Sequence, residues 1–141
     1  MTTIMVASDG SGGASRAVDV AAELANALAC NLLIVTVADR LLGEEVRQLP
    51  RSATAGDLLE AMTDQTLRDA EIRARKLGVS QIEAKTCWGD VTRSLIDLAA
   101  ESSAKMIVIG RRGRGQLTGL LLGSVSQKLV SLAPCPVVVV P

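Results

Sequence analysis

The sequence predicts an α/β fold: a five-stranded parallel sheet with four helices packed on both of its faces. Two observations carry that reading. Short β-branched apolar runs alternate along the chain with longer segments of helical period, and most of those runs are apolar at every position, as strands covered on both faces are. Right-handed crossovers between parallel strands place helices on those two faces. The length of 141 residues suits one domain, 1–141, since folding at that size buries roughly 70% of the unfolded chain's surface.

The first strand is Ile4 to Ala7, and the helix after it runs from Ala14 to Ala29, with Ala14, Ala17, Val18, Ala21, Leu24, Ala25 and Leu28 on one stripe. Leu32 to Val37 forms the second strand. The stretch Arg40 to Ala55, with Gly43, Pro50 and mixed charges, has no clear period and reads as an insertion able to cover a ligand, or as an irregular loop. A second helix spans about Asp57 to Leu77, with Leu58, Met62, Ala70, Ala74 and Leu77 inward, and Gly78 is suited to a left-handed stop. Ile82 to Trp88 alternates instead of running apolar, with Ile82, Ala84, Thr86 and Trp88 on one side, so it is expected at a sheet margin. The third helix, Val91 to Ser103, gathers Val91, Leu95, Leu98 and Ala99. Met106 to Ile109 is the fourth strand, the fourth helix follows Ser124, and Val137 to Val140 is the last strand.

Composition excludes several classes of function. With one Trp and no Phe or Tyr, the core must be aliphatic, and single-stranded nucleic acid would find almost nothing to stack on. Basic and acidic residues balance at 15 each, so no overall field draws the molecule to nucleic acid or to an anionic membrane. The cations are nevertheless uneven: Lys105, Arg111, Arg112, Arg114 and Lys128 close the chain with no acid among them. Histidine is absent, which removes imidazole from any mechanism. Cys30, Cys87 and Cys135, without a C-x-x-C pair, read as small apolar residues in a reducing compartment. The N-terminus shows no signal-peptide pattern and no apolar run nears the roughly 20 residues of a membrane span, so a soluble cytoplasmic protein is expected.

In an open parallel sheet ligands bind at the carboxyl ends of strands, where strand order reverses. Two unusual loops occupy such ends: Ser8-Asp9-Gly10-Ser11-Gly12-Gly13 after the first strand, and G-R-R-G-R-G-Q-L-T-G-L-L-L-G-S-V-S, Gly110 to Ser126, after the fourth. Glycines and arginines before a helix start suit an anion, because first-turn amides carry partial positive charge and glycine lets phosphate reach the backbone. Ser124 and Gln127 fit a capping box. Asp9 has three candidate roles: accepting hydrogen bonds from ribose hydroxyls, holding a divalent ion, or capping the next turn. The loop is no P-loop, because Gln116 follows Gly115 where lysine is required. Ser11-Gly12-Gly13 begins a pyrophosphatase-type loop, but Ser15 stands where aspartate should be.

Gly110, Gly113, Gly123 and Ser124 satisfy G-x2-G-x9-G-[ST], and with I-M-V-A-S-D-G-S, A-K-M-I-V-I-G and A-P-C-P-V-V-V-V the whole chain resembles the ATP-binding branch of the universal stress protein family. The resemblance implies a flavodoxin-like (Rossmann-like) sheet in order 3-2-1-4-5 that binds ATP, or ADP or AMP in its place, with Mg2+ held through the phosphates. It implies that Asp9 holds the ribose, that backbone near Ala7 and Val37 meets adenine, that Gly110 lies beside the ribose, and that Gly113, Gly123, Ser124, Val125 and Ser126 surround the phosphates. Arg112, within the same glycine-rich segment, is a further candidate binding residue. The resemblance also implies a homodimer through Val137 to Val140, a natural solution for an otherwise exposed strand of valines; a strand covered within a monomer is the alternative. Arg111 departs from the family's usual serine or threonine and adds a cation, and Trp88-Gly89-Asp90 lacks the proline common after that glycine. Three functions stay open: a nucleotide-dependent regulatory module in stress response, a slow Mg-dependent ATPase in which Asp9 positions the metal and Arg112 or Arg114 neutralises charge, or a nucleotide-independent interaction domain for a transporter or enzyme.

Overall fold

The computed structural model describes residues 2–38, 55–111 and 122–141. The elements, in chain order, are β1 (Thr3–Ala7), α1 (Gly12–Leu28), β2 (Asn31–Ala38), α2 (Ala55–Lys76), β3 (Ile82–Trp88), α3 (Val91–Glu101), β4 (Met106–Gly110), α4 (Ser124–Leu132) and β5 (Val137–Val140). The five strands form one parallel sheet in the order β3-β2-β1-β4-β5. Chain order reverses at β1, which pairs with β2 on one side and β4 on the other: Met5 lies level with both Leu33 and Ile107. That is the 3-2-1-4-5 order expected from the resemblance.

Strand parity divides the core in two. Even-numbered residues of the central strands, Ile4, Val6, Leu32, Ile34 and Val108, pack with α1 and α2. Odd-numbered ones, Met5, Leu33, Val35, Ile107 and Ile109, pack with Leu95, Leu98 and Ala99 of α3 and Leu129 of α4. Successive side chains on a strand point to opposite faces, so a strand apolar at every position feeds both layers at once. The stripe that α1 turns to the sheet is mostly alanine, Ala14, Ala17, Ala21, Ala22 and Ala25 with Val18; small side chains let a helix lie close, and the chain fills the space with Leu and Ile from the strands. Leu28, expected on the same stripe, is exposed at the end of the helix.

The ends of the helices follow local chemistry. Ser11 caps α1, accepting a hydrogen bond from the Ala14 amide at 3.2 Å, and Asp90 caps α3 in the same way through Arg93. Both α1 and α2 stop in a left-handed residue, with the following amide donating back five residues: Cys30 to Ala25 at 2.9 Å and Val79 to Ala74 at 3.2 Å. The left-handed residue is Gly78 after α2, with φ 96°, but Ala29 after α1, with φ 53°. Asn26 ties the two turns together by donating from Nδ2 to the Leu77 carbonyl at 2.8 Å.

β3 is an edge strand, as its pattern predicts, but its sides are not divided as expected. Trp88 is 58% exposed, whereas Cys87 packs against the core on the α3 and α4 side. Ile82 reaches the other core layer, so each face of this margin is covered over only part of its length. Residues 39–54, which contain most of the insertion expected from Arg40 to Ala55, lie outside the described residues.

Candidate functional site

At the carboxyl end of β1 the ladder runs one step further, the Ser8 amide donating to Val35 at 2.8 Å, and then the chain must turn into α1. Gly10 supplies the turn with φ 83°. Asp9 sets its shape: the Ser11 amide donates to Asp9 Oδ1 at 2.9 Å, and the Gly10 amide reaches Ser8 Oγ at 3.3 Å. The carboxylate therefore performs the turn-capping role and stands at the sheet's reversal point at the same time.

On the neighbouring strand, the Arg111 amide donates to Val140 at 2.6 Å, prolonging the β4–β5 pairing by one residue. The Arg111 carbonyl in turn accepts from the Gly123 amide at 2.7 Å and from Ser126 Oγ at 2.8 Å. Ser126 is almost fully buried, and its hydroxyl also lies 3.1 Å from the Gly123 carbonyl. One peptide thus stitches the two ends of the glycine-rich loop together across the residues between them. The hydroxyl of Ser126 serves that stitch, leaving its main chain as the part able to face a ligand.

The capping box expected between Ser124 and Gln127 does not form. Gly123 is the N-cap of α4, with φ −73° and ψ 171°, and as a glycine it offers no capping side chain. The Gln127 amide donates to the Gly123 carbonyl at 3.0 Å. The helix begins one residue earlier than the box requires, so Ser124 is already helical and its hydroxyl is out of register for capping. Amides in the first turn of a helix have no intrahelical acceptor, and the N-cap glycine has no side chain to give them one.

Ala7, Asp9, Val37, Gly110, Gly123, Ser124, Val125 and Ser126 all line a single cleft of about 1110 Å³ at the carboxyl ends of β1, β2 and β4, a volume that accommodates a nucleotide-sized ligand. Arg112 and Gly113 lie outside the described residues. The cleft also takes in residues that sequence reasoning did not single out. Val35, Ile109, Val91 and Leu95 give it further aliphatic wall; sheet parity could have indicated the first two, since they share a face with Ala7 and Val37. Thr36, Met62 and Thr63 open it toward α2, and Arg111 lines it beside the start of α4. Gly110 has a packing duty as well: a Cβ there would lie 3.0 Å from the Gly13 carbonyl carbon and 3.1 Å from its oxygen. The glycine allows the end of β4 and the start of α1 to touch. Among the described residues no three His, Cys, Asp or Glu side chains gather as a metal cluster.

The family profile described as the universal stress protein family matches residues 1–141. The chain belongs to the universal stress protein family. A universal stress protein of Thermus aquaticus, encoded in the QAH/OAS sulfhydrylase 3' region, is 35% identical over 144 residues, covering 98% of this chain and 97% of its own. A universal stress protein of Mycobacterium tuberculosis is 33% identical over 147 residues, covering 98% and 94%. Among solved structures, a universal stress protein crystallised in complex with cAMP superposes with a TM-score of 0.78 at 29% identity, covering 99% of this chain and 97% of the other. The universal stress protein of Archaeoglobus fulgidus in complex with dAMP gives 0.74 at 26%, covering 100% and 98%.

Proposed function

We propose that this universal stress protein binds an adenine nucleotide, ATP by preference, in the cleft at the sheet's reversal point, and acts as a nucleotide-dependent regulatory module. The observation that carries the reading is the stitch at Arg111, which brings the uncapped first turn of α4 into the same cleft as Asp9. Main-chain NH groups of Ser124, Val125 and Ser126 suit phosphate, the Asp9 carboxylate suits ribose hydroxyls, and the aliphatic wall of Ala7, Val35 and Val37 suits the flat apolar faces of adenine. The likeness to relatives crystallised with cAMP and dAMP supports adenine as the base. Magnesium, in this reading, arrives on the phosphates.

The chain further dimerises, in this proposal, through β5, whose outer edge has no strand beside it among the described residues and whose Val137, Val138 and Val139 are only half-buried. A cytoplasmic site of action follows from the same reading.

Thermal unfolding with ATP tests the assignment. At 100 times its dissociation constant ATP should add roughly 2.7 kcal/mol to stability, and Gly123→Val, which puts a branched side chain at the mouth of the α4 turn, should abolish the gain while the protein stays folded. An unchanged ATP response in that variant would remove the phosphate site from α4. Mass spectrometry of small molecules released from freshly purified protein should find an adenine nucleotide.

A further inference from the structure

We infer that Arg111 is the residue by which this chain selects charge in its ligand: its guanidinium faces the cleft as an anion receptor and makes the site favour adenine nucleotides carrying several phosphate charges over uncharged adenosine. The inference rests on the nucleotide reading above and adds a residue to it.

Four observations lead there. First, the position of Arg111 is fixed, because both its amide and its carbonyl are engaged, the amide to Val140 and the carbonyl to Gly123 and Ser126. The side chain therefore projects from a rigid point, which preorganises it. Second, the β4 ladder continues through that amide, so Arg111 keeps the parity of Ile107 and Ile109 and leaves the sheet on the α3 and α4 side, the face that also carries Ala7 and Val37. Third, Arg111 lines the cleft together with Gly123, Ser124 and Val125, so its charge adds to that of the first-turn amides of α4. Fourth, among the described residues the guanidinium has no acceptor, and its Nε is buried without a hydrogen-bond partner.

The fourth observation is decisive. Arginines with a structural duty are matched with carboxylates or carbonyls, as Arg73 is with Asp19 and Arg16 is with the Pro141 carbonyl. A half-buried guanidinium with a shielded and unsatisfied N–H has lost hydration without compensation. Phosphate oxygens accept from the planar N–H fork of arginine in pairs, and they are the acceptors that the neighbouring amides also favour. The uncharged acceptors of adenosine hold that fork more weakly than phosphate oxygens do, so Arg111 contributes to discrimination between ligands more than to their common adenosine part.

Isothermal titration with ATP, AMP and adenosine, on wild type, Arg111→Gln and Arg111→Lys, tests this at low and moderate salt. Wild type should bind ATP more tightly than adenosine, with the ATP affinity falling as salt rises. Arg111→Gln should weaken ATP by about 10- to 100-fold, the range expected for a charged hydrogen-bonded contact, flatten its salt dependence and leave adenosine within about 2-fold. Arg111→Lys, which keeps the charge but not the fork, should fall between them. Equal weakening of ATP and adenosine in Arg111→Gln, or an unchanged ratio between them, overturns the assignment while the nucleotide site stands. Wild type that binds none of the three ligands refutes the nucleotide reading itself, and the role of Arg111 with it. Should Arg111→Gln fail to fold, the lysine variant decides: a salt dependence and an ATP-to-adenosine ratio lost as completely as if the charge were absent would count against charge selection.

Discussion

A methyl group at position 110 would press on the Gly13 peptide at 3.0 Å, a neighbour that is backbone and cannot rotate away. Gly110→Ala is therefore expected to destabilise the fold by about 1–3 kcal/mol, the usual range for overpacking, measured by urea unfolding, and to weaken ligand binding because it pushes the Asp9 turn away from β4. Ala29 presents the reverse case. It holds a left-handed conformation that costs an L-residue roughly 1 kcal/mol, in a turn that Gly78 performs without strain at the end of α2. Ala29→Gly should stabilise the protein by up to about 1 kcal/mol in the same measurement, and no change would mean that the gain is offset by the added freedom of glycine in the unfolded chain. At this scale the sequence was partly transparent. Gly110 was legible as a candidate site residue through its spacing to Gly113, Gly123 and Ser124, but its contact with Gly13 was not, because the two are nearly a hundred residues apart and meet only once the sheet is built. Arg111 was legible as a departure from pattern; the missing acceptor around it depends on what packs beside it.

Among the elements, the link between α1 and α2 is the clearest electrostatic feature. Arg73 donates from Nε and a terminal nitrogen to both carboxylate oxygens of Asp19, at 2.5 and 2.8 Å, and these hydrogen bonds hold the Asp19 carboxyl below its ordinary range against the opposing effect of burial. A lowered folded-state pKa contributes stability that is present above the ordinary value of about 3.9 and disappears as pH falls through the depressed one. With the side chains of Arg73 and Asp19 47% and 32% exposed, solvent screening limits the contribution to about 0.5–1 kcal/mol. Arg73→Ala should lose that amount at pH 7 and nothing relative to wild type near pH 2, followed by chemical denaturation at the two pH values. The bridge was not visible in the sequence, since a residue on one helix cannot name its partner on another. Strands and helices were visible, because a period of two or 3.6 is written locally; α4 was misread at its first residue because Ser-x-x-Gln suits a cap one position later than the stitch at Arg111 allows. Burial raises the Cys87 and Cys135 thiols above their ordinary value, which favours the protonated form.

For the whole molecule, the order of strands was readable only through the resemblance, since periodicity reveals that strands exist and not which lie side by side. The two-sided apolar runs did announce the parallel sheet, and the sheet in turn explains why Asp9 and the two described ends of the glycine-rich segment, Gly110 and Gly123 to Ser126, line one cleft: β1 and β4 are neighbours at the reversal. The proposed dimer belongs to this scale too. Sedimentation at micromolar concentration should give twice the mass of one chain, and Val138→Lys, which places a charge in the strand beside the expected two-fold axis, should shift it to a monomer; a monomer in wild type would overturn pairing through β5. The residue Arg111 has a last consequence. Its NH is bonded to the end of β5, while its carbonyl, in the next peptide group, accepts from the Gly123 amide at the mouth of the cleft, so two exchangeable protons flank one residue and each gauges one place. Slower deuterium uptake at the Gly123 amide when the cleft is filled, and at the Arg111 amide when two chains associate, would read the two events from adjoining bonds.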